Sequence, residues 1–216
     1  MINKSLMRTE QDIYIEQDRF CAAYPFRDRS LSPKMKAWKS AIKVSVTTRR
    51  YPVYSSEIEN RRDAVNFWEL QLERLGEKYI TTEQSQEQFI LDVFELQDTI
   101  NNSEYARCFN NSHIRVGQCQ KSLSVYLKWM WCQHQLAAVP LVCPIDRQVL
   151  NACRRVLLRD NDYTDQELTD TYTAWSNLDD RDLYTRLVKI TLKVTKLEKE
   201  QSPAVWELFA FRVPER

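Results

Sequence analysis

Two lysines and one aspartate are the residues whose types and spacing suit chemistry. Lys121 and Lys128 lie seven positions apart in "GQCQKSLSVYLKWMWCQHQLAAVPLVCPID", and Asp146 closes that stretch directly after Pro144-Ile145. Seven residues are about two helical turns, so both lysines share one face of a helix. Ser124 and Val125 lie on that face too. A lysine attacks a sugar C1′ only as the neutral amine, which calls for desolvation or for other cations nearby. Lys128 would lower the pKa of Lys121 by like-charge repulsion, and Asp146 would raise it. A carboxylate beside the amine can orient it, accept its proton and stabilise positive charge developing on the sugar. Alternatively, Asp146 is only an N-cap and the lysines are surface residues.

The elements that must position these groups are helical. Leu123, Tyr126, Leu127, Met130 and Trp131 recur at 3–4 spacing and predict a helix over 116–135 with a buried stripe. Pro144 forces an extended approach, and Asp146 is a good N-cap for "RQVLNACRRVLL". "NNSHIRVG" before the lysine helix is turn-rich, and a short helix over 103–109 would join through it to the lysine helix, the outline of a helix-hairpin-helix. Gly117 there would let backbone amides approach closely, and the helix N-terminus suits a phosphate. Further helices are expected near 8–23, 33–44, 57–75, 84–101, 147–159, 165–176, 180–199 and 203–211. Start signals are Ser56 with Glu59, Thr82–Ser85, and Ser202-Pro203. The stretch 44–56 is rich in β-branched residues and reads as extended.

Composition agrees with an all-α class. The 216 residues contain only two glycines, Gly76 and Gly117. A Rossmann fold, a P-loop or a hairpin-rich β protein needs more, and neither phosphate-binding glycine motif occurs. The expectation is one compact helical domain over 1–216 with two lobes, about 1–100 and 101–216, and the active site between them. The six cysteines form no C-x-x-C pair and there are two histidines, so no zinc spacing appears and no metal or cofactor is expected. The N-terminus has no apolar signal region and no membrane-length apolar run occurs, which points to a reducing cytosol with free thiols.

Net charge is +1 but segregated. Lys34, Lys36, Lys39, Lys43, Arg49 and Arg50 occur between 34 and 50 without an acid, Arg147, Arg154, Arg155 and Arg159 follow Asp146, and acids concentrate over 160–182. Such a distribution can present a basic face to phosphates, or be an ordinary solvated surface.

The order glycine-bearing turn, lysine, helix, Pro-hydrophobic-Asp, helix resembles the active-site order of helix-hairpin-helix DNA glycosylases. "QKSLSVYLKWMWCQH" and "VCPIDRQV" are most similar to the archaeal-type 8-oxoguanine DNA glycosylases, over roughly 115–157. The resemblance implies Lys121 as the Schiff-base lysine, Asp146 as the catalytic aspartate and Lys128 as a supporting lysine. It departs from the pattern in its single hairpin glycine, its shorter spacer before Asp146, and Val125 in place of an aromatic that stacks on the flipped base. The implied partner is double-stranded DNA containing a modified base, the implied state a monomer. Two substrates stay open: an oxidised purine such as 8-oxoguanine, in repair, and a hypermodified base such as glucosylated hydroxymethylcytosine of phage DNA, in antiviral defence. A flipped base needs flat walls. Trp206 is the first candidate and Trp38 a second, near the DNA. Arg154 and Arg155 are candidates for backbone phosphates, and Gln118 and Gln120 for a base or phosphate. The other class of function is a non-catalytic helical DNA-binding or protein-interaction module, which would not need Lys121 or Asp146.

Overall fold

The computed structural model describes residues 8–26, 28–46, 52–55 and 61–211. Their regular structure is helical: α1 (Glu10–Ala23), α2 (Pro33–Val46), α3 (Arg61–Thr81), α4 (Gln86–Asn101), α5 (Val116–Cys132), α6 (Arg147–Asp160), α7 (Asp165–Asp170), α8 (Arg181–Leu197) and α9 (Pro203–Ala210), with short 3-10 turns between some of them. Among the described residues there is no strand, only an isolated antiparallel bridge between Tyr54 and Phe109. The extended stretch expected over 44–56 falls partly on α2, which runs through Val46, and partly outside the described residues, as do Arg49, Arg50, Ser56 and Glu59.

The axis of the molecule is α5. Sixteen of its 17 residues are buried, all but Lys128. A helix covered all round must be wrapped by others, and α1, α2, α3, α4 and α8 all pack against it. The stripe expected on one side is therefore only part of its buried surface. A single apolar cluster runs from Ala37 and Trp68 through Leu123, Tyr126 and Leu127 to Leu187 and Trp206, so residues from both halves of the chain share one core. A smaller cluster of Ile13, Trp131, Val205 and Leu208 joins α1, α5 and α9.

The start signals work as local chemistry demands. Ser85 caps α4 by accepting from the Gln88 amide, and Ser202 caps α9 with Pro203 in its first turn. The helix expected over 165–176 stops at Asp170. There the Asp170 carboxylate is taken by Arg186 and the Thr171 carbonyl by Arg154, and the chain turns through 171–174 into a 3-10 turn at Trp175–Asn177.

Both glycines are places of close approach. A Cβ on Gly76 of α3 would lie 2.3 Å from Cε1 of Tyr126, whose ring is 1% exposed and has nowhere to go. Gly76→Ala is expected to destabilise by about 1–3 kcal/mol, as overpacking does, read from the midpoint of urea unfolding.

Glu69 on α3 sets a pH dependence. Burial pushes its carboxyl up to about 7, with Lys39 pulling it down and Glu73 adding to the rise. A folded-state value above the unfolded one means that ionisation disfavours the fold. The contribution is nil below about pH 4.5, grows as pH rises towards 7, and is constant above. Glu69→Gln is therefore expected to leave Tm unchanged at pH 4 and to raise it relative to wild type at pH 8, as differential scanning fluorimetry across that range would read.

Candidate active site

Asp146 occupies the N-cap of α6 with extended backbone (φ −134°, ψ −177°). Its Oδ1 accepts from the amides of Gln148 at 2.9 Å and Val149 at 3.0 Å. Its Oδ2 faces the other way and accepts from Lys121 Nζ at 2.5 Å. One carboxylate thus does both jobs that the sequence posed as alternatives, capping a helix with one oxygen and meeting the lysine with the other. The Lys121 side chain is 11% exposed and that of Asp146 25%, so the amine is nearly enclosed while the carboxylate keeps an open edge.

Gln120 and Gln118 flank the lysine on α5, and each holds one of its neighbours. The Gln120 amide donates to the Ile145 carbonyl at 2.7 Å and accepts from the Ile145 amide at 3.1 Å. This two-point clamp on the residue before Asp146 fixes the carboxylate's height along α5. Gln118 donates to the Ser176 carbonyl at 3.0 Å, in the 3-10 turn that carries Trp175. The structure gives both glutamines scaffold partners where a base or phosphate was expected.

Trp175 is the neighbour that sequence reasoning missed. Lys121 Nζ lies 5.6 Å from its ring centroid, and the ring is half-buried. The turn bearing it is tied to the start of α5 at many points. Gly117 N donates to the Leu178 carbonyl at 2.8 Å. Arg115 donates to the Ser176 carbonyl and to Asn177 Oδ1. Asp179 accepts from the Val116 amide, Gln97 and His113. A Cβ on Gly117 would lie 1.9 Å from the Trp175 carbonyl oxygen, so only glycine fits. The signal available in the sequence was Gly117 itself, one of two glycines in the chain.

These contacts revise the phosphate-binding hairpin expected here. The segment before α5 is 3-10 (Glu104–Cys108 and Asn110–Ser112), and its sharp turn is made by Asn111 (φ 56°) and Ser112 (φ 53°) rather than by Gly117. The amides at the start of α5 are occupied: the Asp179 carboxylate supplies the anion that a helix N-terminus favours.

The other expected residues lie as follows. Lys128 Nζ meets Glu207 of α9 at 2.5 Å and sits over the Phe20 ring. Burial pushes this amine down, but Glu207 outweighs burial and holds it above its ordinary value. Lys128 is a charged amine with its own counterion, which blunts the repulsion it was expected to exert on Lys121. Val125 is 9% exposed and packs in the core, and Trp206 is 4% exposed, edge-on to Phe211. Trp38 is partly buried with Lys39 over its ring. Arg154 donates to Thr171 and stacks 3.6 Å from the Tyr172 centroid, so its fork is engaged within the protein, while Arg155 is exposed. Lys34 of the basic stretch pairs with Glu77. All six cysteines are free thiols, five of them buried, and burial pushes Cys21 up to about 11 and Cys153 up to about 12. Among the described residues no group of His, Cys, Asp and Glu could hold a metal ion, and no helix is long and apolar enough to cross a membrane.

Compared with known proteins, the chain matches no family model, no curated protein and no solved structure. What the site can do is argued from its own geometry.

The double role of Asp146 separates two substitutions. Asn retains a capping oxygen and removes the charge, whereas Ala removes both. Asp146→Ala is expected to be less stable than Asp146→Asn by about 1 kcal/mol, the usual contribution of an N-cap, as denaturant unfolding of the two variants would measure.

Proposed function

We propose that this chain is a DNA glycosylase with lyase capability, acting on a modified base through Lys121 and Asp146. The observation that supports it is the 2.5 Å contact between an enclosed amine in the second turn of α5 and a carboxylate 25 residues away at the N-cap of α6. Asp146 accepts a proton from the Lys121 ammonium, and the neutral amine attacks C1′ of an extruded nucleotide. The new N–C bond forms as the glycosidic bond breaks. The base leaves with that electron pair and takes up a proton. Opening of the sugar ring then gives an imine, from which β-elimination cleaves the strand. None of these steps needs a metal or a cofactor.

The substrate is a hypermodified base, such as glucosylated hydroxymethylcytosine of phage DNA, or an oxidised purine such as 8-oxoguanine. The biological roles that follow are antiviral defence and base-excision repair, respectively. A second reading, a helical interaction module, is favoured by the capping role of Asp146, which a purely structural clip between α5 and α6 would also use.

Borohydride trapping on duplexes bearing each base or an abasic site separates the readings. The expected result is a covalent adduct with wild type, absent with Lys121→Ala and reduced about 10²- to 10⁴-fold with Asp146→Asn, the usual range for a lost general base. Wild-type protein that forms no adduct and releases no base from any of these duplexes would establish the interaction module instead.

A further inference from the structure

Resting on the glycosylase reading, we infer that Trp175 is the wall on which the extruded base stacks, and that the turn at Ala174–Leu178 is the base-reading element. Elimination among the tryptophans comes first. Of six, Trp68, Trp129, Trp131 and Trp206 are at most 6% exposed and belong to the core. Trp38 keeps open surface, but on α2 beneath Lys39. Trp175 combines open surface with proximity to the nucleophile, its centroid 5.6 Å from Lys121 Nζ.

Rigidity is the second argument. A stacking wall aids catalysis only if it is held in place before the base arrives. The Trp175 turn is held by Gly117, Arg115, Gln118 and Asp179, and Gly117 is restricted to glycine by the Trp175 carbonyl. Two of these anchors, Gly117 and Gln118, lie on the same helix as Lys121, so nucleophile and wall move as one body.

Chemistry is the third. Aromatic rings stack with centroids about 4.5–7 Å apart. Lys121 Nζ lies over the same ring at a comparable 5.6 Å, so a base stacked on Trp175 would bring the sugar carbon bonded to it towards the amine. Tyr172, three residues earlier, is 66% exposed and backed by the Arg154 guanidinium. An exposed aromatic paired with a cation is the combination that binds unstacked bases without reading their sequence.

The test compares two substrates that differ in whether there is a base to stack. Wild type, Trp175→Leu and Trp175→Phe are assayed for single-turnover base release from duplexes carrying 8-oxoguanine or glucosylated 5-hydroxymethylcytosine. The same proteins are assayed for borohydride trapping on an abasic-site duplex. Stacking losses of this kind amount to about 10- to 100-fold. Trp175→Leu is expected to lose base release by that factor beyond whatever change it shows in abasic-site trapping, where there is no base to stack. Trp175→Phe, which restores a π-face, is expected to regain most of the release. Unchanged release in Trp175→Leu, or release and trapping falling together in Trp175→Leu and Trp175→Phe alike, would overturn the assignment while leaving Lys121 as nucleophile. Wild type that traps on no duplex overturns both.

Discussion

A cationic side chain on a helix that is covered almost all round is the constraint to which the rest of the molecule answers. Burying an unpaired ammonium costs several kcal/mol, and α5 carries two lysines into its surroundings. Each receives a carboxylate from a different helix: Asp146 from the start of α6 for Lys121, and Glu207 from α9 for Lys128. The two ion pairs therefore also act as ties, fastening the C-terminal helices to the central one at two heights about two turns apart.

The two ties differ in what they leave open. Lys128 and Glu207 are both nearly enclosed, at 13% and 12% side-chain exposure, with Phe20 covering the amine. Such a pair is a fixture, and its direction of titration keeps the amine charged. Asp146 is twice as exposed as its lysine, and only one of its oxygens is committed to α6. The lysine that can still reach an incoming atom is the one whose partner borders solvent. The pairing of Lys128 with Glu207 also withdraws a positive charge from the electrostatics of Lys121, leaving Asp146 and Trp175 as the groups that directly border the nucleophile.

Local chemistry was legible in the sequence, and tertiary commitments were not. Helix starts at Ser85, Asp146 and Ser202-Pro203 follow from side-chain oxygens meeting orphan amides, which needs only a few residues of context. The pairing of Lys121 with Asp146 was suggested by a resemblance in residue order, because helix spacing relates Lys121 to Lys128 but says nothing of an aspartate 25 residues on. By contrast, where α7 ends at Asp170, Arg154 takes the Thr171 carbonyl and Arg186 anchors the Asp170 side chain, contacts that come from other helices. Gly117 illustrates the same limit. A glycine at a helix start signals close backbone approach, and that much held, but the approaching group is the chain's own Trp175 carbonyl rather than a phosphate. The glutamines beside Lys121 were singled out as polar groups near the nucleophile. Their partners, Ile145 and Ser176, depend on where loops 25 and 58 residues away are brought back.

The consequence is a division of labour along the start of α5. Gly117 and Gln118 fix the aromatic turn, Gln120 fixes the approach to Asp146, and Lys121 stands between what they hold. Four positions within five consecutive residues of one helix are rigid relative to each other to within the stiffness of the backbone. Distances among amine, carboxylate and indole are then set by hydrogen bonds to main-chain atoms, which do not change rotamer. A mobile loop could bring the same three groups together only at an entropic cost in each encounter. Placing them on one buried helix transfers that cost to folding, and this explains why so polar a sequence, Gly-Gln-Cys-Gln-Lys, begins the most deeply covered helix of the protein.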